Sequence, residues 1–306
     1  MPYHKKISII GASNVDITGF TNKKLIYQDA NIGNMKTAAG GVGRNIAENL
    51  ALLQFNVDLI SVFGDDPLSH YIIDYCNKHQ INIANSLFLE DASASTFIAI
   101  MDEHNDLALG ISAMSIFDQL QPDFILSKLP HIADADLIVL ETNFSEEILK
   151  TIVDNLPKHH FVLDTVSGIK SLRALPILEH LYILKTNLIE AEMMSGLPSK
   201  TNEDIENLVR WFLQKGVKNI FITLGENGVY YGHKEGIYHQ KAIASNVINT
   251  IGAGDSFVAG LIYADSQKKD IHTCALYGMA AASLTVQHNE AVNPEMRIEN
   301  LEKKIK

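Results

Sequence analysis

The sequence predicts an α/β fold: a mainly parallel sheet with helices on both faces, carrying a small β-sheet lid. Three observations predict it. Short runs rich in β-branched residues alternate with amphipathic stretches along most of the 306 residues, the pattern of strand–helix–strand units. Those runs are continuously apolar, as strands covered on both faces are. Two segments break the alternation: 17–39 holds no long helical stripe, and 95–112 reads as a hairpin.

Each element can be justified in order. The first strand is ISIIGA (7–12). After 17–39, Ile46, Leu50 and Leu53 recur at helical spacing, and VDLISVF (57–63) is the next strand. In 95–112, apolar runs flank the turn-prone EHND. With 17–39 this segment forms the lid, which stands off the main sheet; an extra pair of edge strands is the alternative. DLIVLE (136–141), HFVLD (160–164), YILK (182–185) and NIFITL (219–224) are further strands. Helical stripes lie between them at Ile148, Ile152 and Leu156, and at Leu208, Trp211 and Phe212. Phe257, Leu261 and Ala264 mark a helix starting around Ala253, and the terminal ENLEKKIK reads as a solvated helix end. No repeat, low-complexity tract or linker divides the chain. One domain therefore spans 1–306, with the lid inside it.

Composition bounds the function. Hydrophobic residues make up 46% and charged residues 20%, which excludes disorder, collagen and coiled coil. The net charge of -11 disfavours non-specific nucleic-acid binding, which wants clustered Lys and Arg. Cys76 and Cys274 belong to no CxxC pattern, so neither a disulfide framework nor a thiolate metal site is expected. The apolar stretch after Lys5 and Lys6 is too short for a signal-peptide core, and no run of 18 apolar residues offers a membrane span. The expectation is a soluble, cytoplasmic protein with a small-molecule substrate.

The strongest local feature is Asn249-Thr250-Ile251-Gly252-Ala253-Gly254-Asp255 at a helix start. Two glycines let a ligand approach the backbone, and the free N–H groups of a first helical turn form an anion site. Asp255 reads either as a helix-dipole partner or as a proton acceptor beside the anion cradle. The second reading suggests phosphoryl transfer. No GxxxxGK[ST] is present, and Phe257 stands where GxGxxG needs its last glycine, so P-loop and dinucleotide folds are disfavoured.

Weaker signals sit at other strand ends. Asn14 and Asp16 follow the first strand and offer a donor and acceptors for vicinal hydroxyls, or form an Asx turn. Gly40-Gly41-Val42-Gly43-Arg44-Asn45 is a hinge or close backbone approach, or a loop with an Asn-capped helix. Asn187 and Glu190 share one helical face and could hold Mg²⁺ through waters, or make a surface turn. Thr223, Gly225 and Gly228 suit a tight turn whose hydroxyl touches a phosphate, or a plain hairpin turn.

In order along the chain, SNVD, GGVGRN, NLIE, TLGENG and NTIGAGD resemble the PfkB, or ribokinase-like, family of sugar and nucleoside kinases. The resemblance covers nearly the whole length. It implies a large α/β domain with a β-lid, ATP and Mg²⁺ as cofactors, and Asp255 as the base that deprotonates the acceptor hydroxyl. It implies an anion hole at Gly252, Ala253 and Gly254, and a sugar site at Asn14, Asp16, Gly40, Gly41 and Asn45. Asn187 and Glu190 would serve Mg²⁺ and the phosphates, with Glu190 acting on the metal through water. Thr223, Gly225 and Gly228 would line the nucleotide site.

Within the family, GGVGRNIAENLAL, LDTVSGIK and KTNLIEAE are most similar to the pseudouridine kinase subgroup. The expected reaction is phosphorylation of a nucleoside 5′-hydroxyl, with Thr96 on the lid reaching the base. Asn249 stands where the family usually has Asp, a position linked to a monovalent cation. K⁺ there would rely on nearby carbonyls. Thr186 replaces a common proline. The apolar lid faces suggest a homodimer. The rival readings are another sugar or nucleoside kinase, a nucleoside-binding regulator without turnover, and a dinucleotide oxidoreductase, which lacks its fingerprint.

Overall fold

The computed structural model describes residues 5–104 and 106–306. Asn105, in the EHND turn, and residues 1–4 of the short N-terminal stretch lie outside them. In chain order the first elements are β1 (Lys6–Ile10), β2 (Asn14–Thr21), β3 (Gly33–Gly40), α1 (Val42–Leu52), β4 (Asn56–Ile60), β5 (Val62–Phe63) and α2 (Pro67–Lys78). Next come β6 (Leu87–Phe88), β7 (Thr96–Met101), β8 (Leu107–Ala113), α3 (Pro122–Ile132), β9 (Leu137–Glu141), α4 (Glu146–Asn155), β10 (Phe161–Asp164) and α5 (Gly168–Ser171). The chain continues through β11 (Leu181–Asn187), α6 (Leu188–Ser195), α7 (Asn202–Gln214), β12 (Asn219–Thr223), β13 (Val229–His233) and β14 (Gly236–Gln240). It closes with α8 (Ala253–Ser266), α9 (Ile271–Thr285) and α10 (Ile298–Lys304).

The main sheet has the order β14-β13-β12-β11-β10-β9-β1-β4. Every pair from β4 to β12 is parallel; β13 and β14 add an antiparallel edge that the alternation does not predict. Side chains alternate across the sheet with a period of two. Leu137 and Val139 of β9 join one core with Ile46 and Leu50 of α1, Phe257 and Leu261 of α8, and Ala275 of α9. Ile138 and Leu140 join the opposite core with Ile148 and Ile152 of α4 and Leu208 and Phe212 of α7. Two-sided burial is why these strands read as continuous apolar runs. Cys76 and Cys274 are free and buried. Among the described residues, no helix is long and apolar enough to cross a membrane.

A second sheet has the order β3-β2-β7-β8. Its outer pairs are antiparallel and its central pair, β2 with β7, is parallel. It occupies the two segments that break the alternation, but its strands begin at Asn14 and end at Gly40 and Ala113. Asn14 and Asp16 are thus strand residues, paired with Gly40 and Ala38. In a sheet, successive side chains face opposite ways. The polar positions of NVDIT therefore fit one face while Val15 and Ile17 take the other.

Candidate active site

The parallel strands all end on the same edge of the sheet, where ligands bind in open α/β folds. Four charged or polar groups gather there from β9, β10, β11 and α8: Glu141, Asp164, Lys185 and Asp255. All are buried. The Lys185 ammonium lies 2.9 Å from Asp164 Oδ2. It also lies beside the first turn of α8, since a Cβ built on Gly254 would sit 2.6 Å from Lys185 Nζ. Burial works against the Lys185 charge, but Asp164, with Glu190 and Asp255, more than offsets this and raises its pKa.

Asp255 stands in the first turn of α8, with Asn45 Nδ2 donating to its Oδ2 at 2.7 Å. Burial pushes its carboxyl up to about 7, and Asp164 adds to the rise; Asn45, Lys185 and Arg44 act the other way. Gly252 is the N-cap in left-handed backbone (φ 78°), and no side chain caps the helix. A Cβ there would collide with the Ala291 carbonyl. The first-turn N–H groups of α8 have no acceptor within the helix.

Asn14, Asp16, Gly40 and Gly41 come together where β2 meets the end of β3. Asn14 Nδ2 donates to Asp16 Oδ1 at 2.5 Å, and a side chain at Gly40 would run into the Asp16 carboxylate. Burial raises the Asp16 pKa, against the Asn14 hydrogen bond and the Arg44 charge. Beneath them, Glu141 accepts from the N–H groups of Ala12 and Asn143 and is pushed up to about 7 by burial.

Across the Gly252–Asp255 turn lies a cavity of about 890 Å³. Its lining includes Thr223, Gly225, Gly228, Ala253, Gly254 and Phe257, with the apolar Ile243, Val247, Met279 and Val286. Asn187 opens instead onto an adjoining cavity of about 720 Å³ that shares Thr223. Asn187 and Glu190 form a reciprocal capping box on α6. The Glu190 carboxylate also accepts from the hydroxyls of Thr165 and Thr186, so both its oxygens are engaged. Any hold on a metal fits better through water than by direct ligation. Among the described residues no cluster of three His, Cys, Asp or Glu could hold a metal ion.

Two expected residues are not brought to the group. Thr96 pairs with Val15, so it shares that residue's face and not that of Asp16; its hydroxyl donates to the Ala94 carbonyl at 3.2 Å. Phe97 is the partner of Asp16. Asn249 is half-buried; its Oδ1 accepts from Ile251 N–H at 3.0 Å and its Nδ2 donates to the Asn289 carbonyl at 3.2 Å. Sequence reasoning missed Glu141, Asp164 and Lys185. The available signal was a charged residue at or near the end of an otherwise apolar strand.

Comparison with known proteins identifies the family. Residues 4–297 match the model of the pfkB family carbohydrate kinases. The chain is 31% identical over 296 residues to a pseudouridine kinase of Escherichia coli K12, covering 96% of this chain and 95% of that one. It is 28% identical to a guanosine-inosine kinase of Exiguobacterium acetylicum, covering 95% and 98%. The Arabidopsis thaliana ribokinase, solved with ribose and ATP, superposes with a TM-score of 0.86 at 20% identity, covering 99% of each chain. A doubly covered parallel sheet, a second small sheet and a carboxylate at a glycine-rich helix start thus go with a family match over nearly the whole length. The chain belongs to the pfkB family of carbohydrate kinases, phosphotransferases that act on hydroxyl groups of sugars and nucleosides.

Proposed function

We propose that this kinase phosphorylates the 5′-hydroxyl of a nucleoside, pseudouridine being the preferred acceptor. The observation that carries the chemistry is the Asp255 carboxylate, buried at an uncapped helix start and held by Asn45. A carboxylate placed where backbone amides converge opposes anion binding unless it accepts a proton. Asp255 takes the proton of the acceptor hydroxyl as its oxygen attacks the γ-phosphorus of ATP. The new O–P bond forms in line as the bond to the β-phosphate oxygen breaks, and that electron pair leaves with ADP.

The other residues divide the remaining work. The amides of Gly252, Ala253 and Gly254 take the growing phosphoryl charge, and Lys185 adds a positive charge beside them. Asn14, Asp16, Gly40, Gly41 and Asn45 orient the ribose. The 890 Å³ cavity has the size and apolar lining for the nucleoside end of ATP, with Thr223, Gly225 and Gly228 at its rim. Mg²⁺, when bound, offsets phosphate charge, and Glu190 and Asn187 would hold it through water. Closure of the second sheet excludes water, the competing acceptor. K⁺ has no carboxylate at Asn249 to recruit it and would rest on main-chain carbonyls. The ATP requirement fits a cytoplasmic site of action.

Preference for pseudouridine is supported by the E. coli relative at 31% identity over both chains. The guanosine-inosine kinase relative supports a second reading, a purine nucleoside acceptor. The test is ATP consumption with pseudouridine, uridine, inosine, guanosine and ribose. Pseudouridine should give the highest kcat/KM, with uridine the sharpest control because only the glycosidic bond differs. A higher value for uridine, inosine, guanosine or ribose overturns the assignment.

A further inference from the structure

Arg44, in the first turn of α1, is 1% exposed, and each of its three side-chain nitrogens donates a hydrogen bond. Its Nε donates to the Gly40 carbonyl at 3.2 Å, and Nη2 donates to the Ala39 carbonyl at 2.8 Å. Nη2 also donates to Asn45 Oδ1, and Nη1 to Glu48 one turn along the helix. Glu48 is itself held by the Tyr75 hydroxyl at 3.1 Å and by His79 Nδ1 at 3.0 Å. The guanidinium lies 5.2 Å from the centre of the Tyr75 ring.

Stability alone is a weak reason to bury such a group, because apolar residues of similar volume often serve as well. Its contacts point elsewhere. A carboxamide has one accepting end and one donating end. Arg44 occupies the oxygen of Asn45, so the amide nitrogen must face Asp255. A flipped amide would set an oxygen against the carboxylate. The same guanidinium pins two carbonyls at the end of β3, where the second sheet joins α1.

We propose that Arg44 is a positioning residue for phosphoryl transfer: by fixing the Asn45 amide it holds one oxygen of Asp255 and leaves the other for the acceptor hydroxyl. The proposal rests on Asp255 being the proton acceptor. Four groups act on that carboxylate: Asp164 from β10, Lys185 from β11, and Arg44 and Asn45 from α1. Arg44 supplies both geometry and charge, and two variants separate these.

Arg44→Lys keeps the charge and loses the fork. The double variant Arg44→Met/Glu48→Gln removes both charges without stranding either. The assay is kcat and both KM values against pH, with the best acceptor of the substrate panel and saturating Mg-ATP. Thermal melting checks folding. Arg44→Lys should lose about 10²-fold in kcat, as a misplaced reacting group does, with the acid limb unmoved. The double variant should lose as much and shift its acid limb up by about one pH unit, with the KM for ATP unchanged. If the double variant does not fold, Arg44→Lys decides through kcat. Wild-type kcat in Arg44→Lys overturns the proposal. So does a double variant whose kcat and KM values change equally at every pH. Asp255→Asn run alongside keeps the failures apart: an active Asp255→Asn defeats the base assignment, whereas an inactive one beside normal Arg44 variants defeats Arg44 alone.

Discussion

The proposed base, Asp255, must be unprotonated to work, and it is buried where its proton leaves only near pH 7. For the nucleoside, kcat/KM should therefore rise with pH through about 7 and level off above it. Stability moves the opposite way. The unfolded carboxyl titrates near its ordinary value of 3.8, so between there and about 7 the folded chain binds the extra proton. That contribution is complete at low pH and is lost as pH rises through 7. Asp255→Asn should cut turnover by about 10²–10⁴ and raise Tm at pH 8. The gain in Tm should vanish near pH 4. Melting curves at the two pH values check it, and an equal shift at both would contradict the burial argument. This residue was legible in the sequence because a carboxylate in a glycine-rich first turn conflicts with its own surroundings. Glu141, Asp164 and Lys185 were not, because each stands at or near the end of an ordinary strand. Their meaning appears only when sheet order sets β9, β10 and β11 side by side.

Among the elements, α8 is the one whose start admits least change. Gly252 needs left-handed backbone and has the Ala291 carbonyl against the place of any Cβ. Gly252→Ala should displace the first-turn amides and cost about 10²–10³ in kcat, the scale seen for losing an oxyanion donor. Gly196, after the end of α6, also has positive φ, 71°, but nothing lies within 4 Å of its Cβ position. Gly196→Ala should cost only about 1–2 kcal/mol of stability, from the backbone alone, with kcat retained. Steady-state kinetics and denaturant melts of the pair would separate the two. The central strands were legible to within a few residues because burial on both faces makes continuous apolar runs. The start of β2 was not: Asn14 and Asp16 are polar and follow a glycine, so they imitate a loop. β13 and β14 also escaped, since an antiparallel edge lies outside the strand–helix rhythm.

At the scale of the molecule, the second sheet leaves apolar side chains uncovered. Register puts Ile98, Ile100, Leu109 and Ile111 on one face with Ile17 and Met35. Met35, Leu109 and Ile111 are exposed. A contiguous apolar face of this kind favours association. We propose that two copies join through it as the expected homodimer, so that Leu109→Asp/Ile111→Asp should make the chain sediment as a monomer. A wild-type chain already monomeric at micromolar concentration would defeat the idea.

The two cysteines offer a different kind of readout. Burial pushes Cys76 up to about 11 and Cys274 up to about 12, so neither presents a thiolate to solvent in the folded state. Cys76 sits on α2, and Cys274 on α9, the helix whose Met279 and Ala282 line the larger cavity. An alkylating reagent can reach them only when the core breathes, so its rate clocks that opening at two separate stations. A ligand seated against α8 and α9 would slow the clock at Cys274 first.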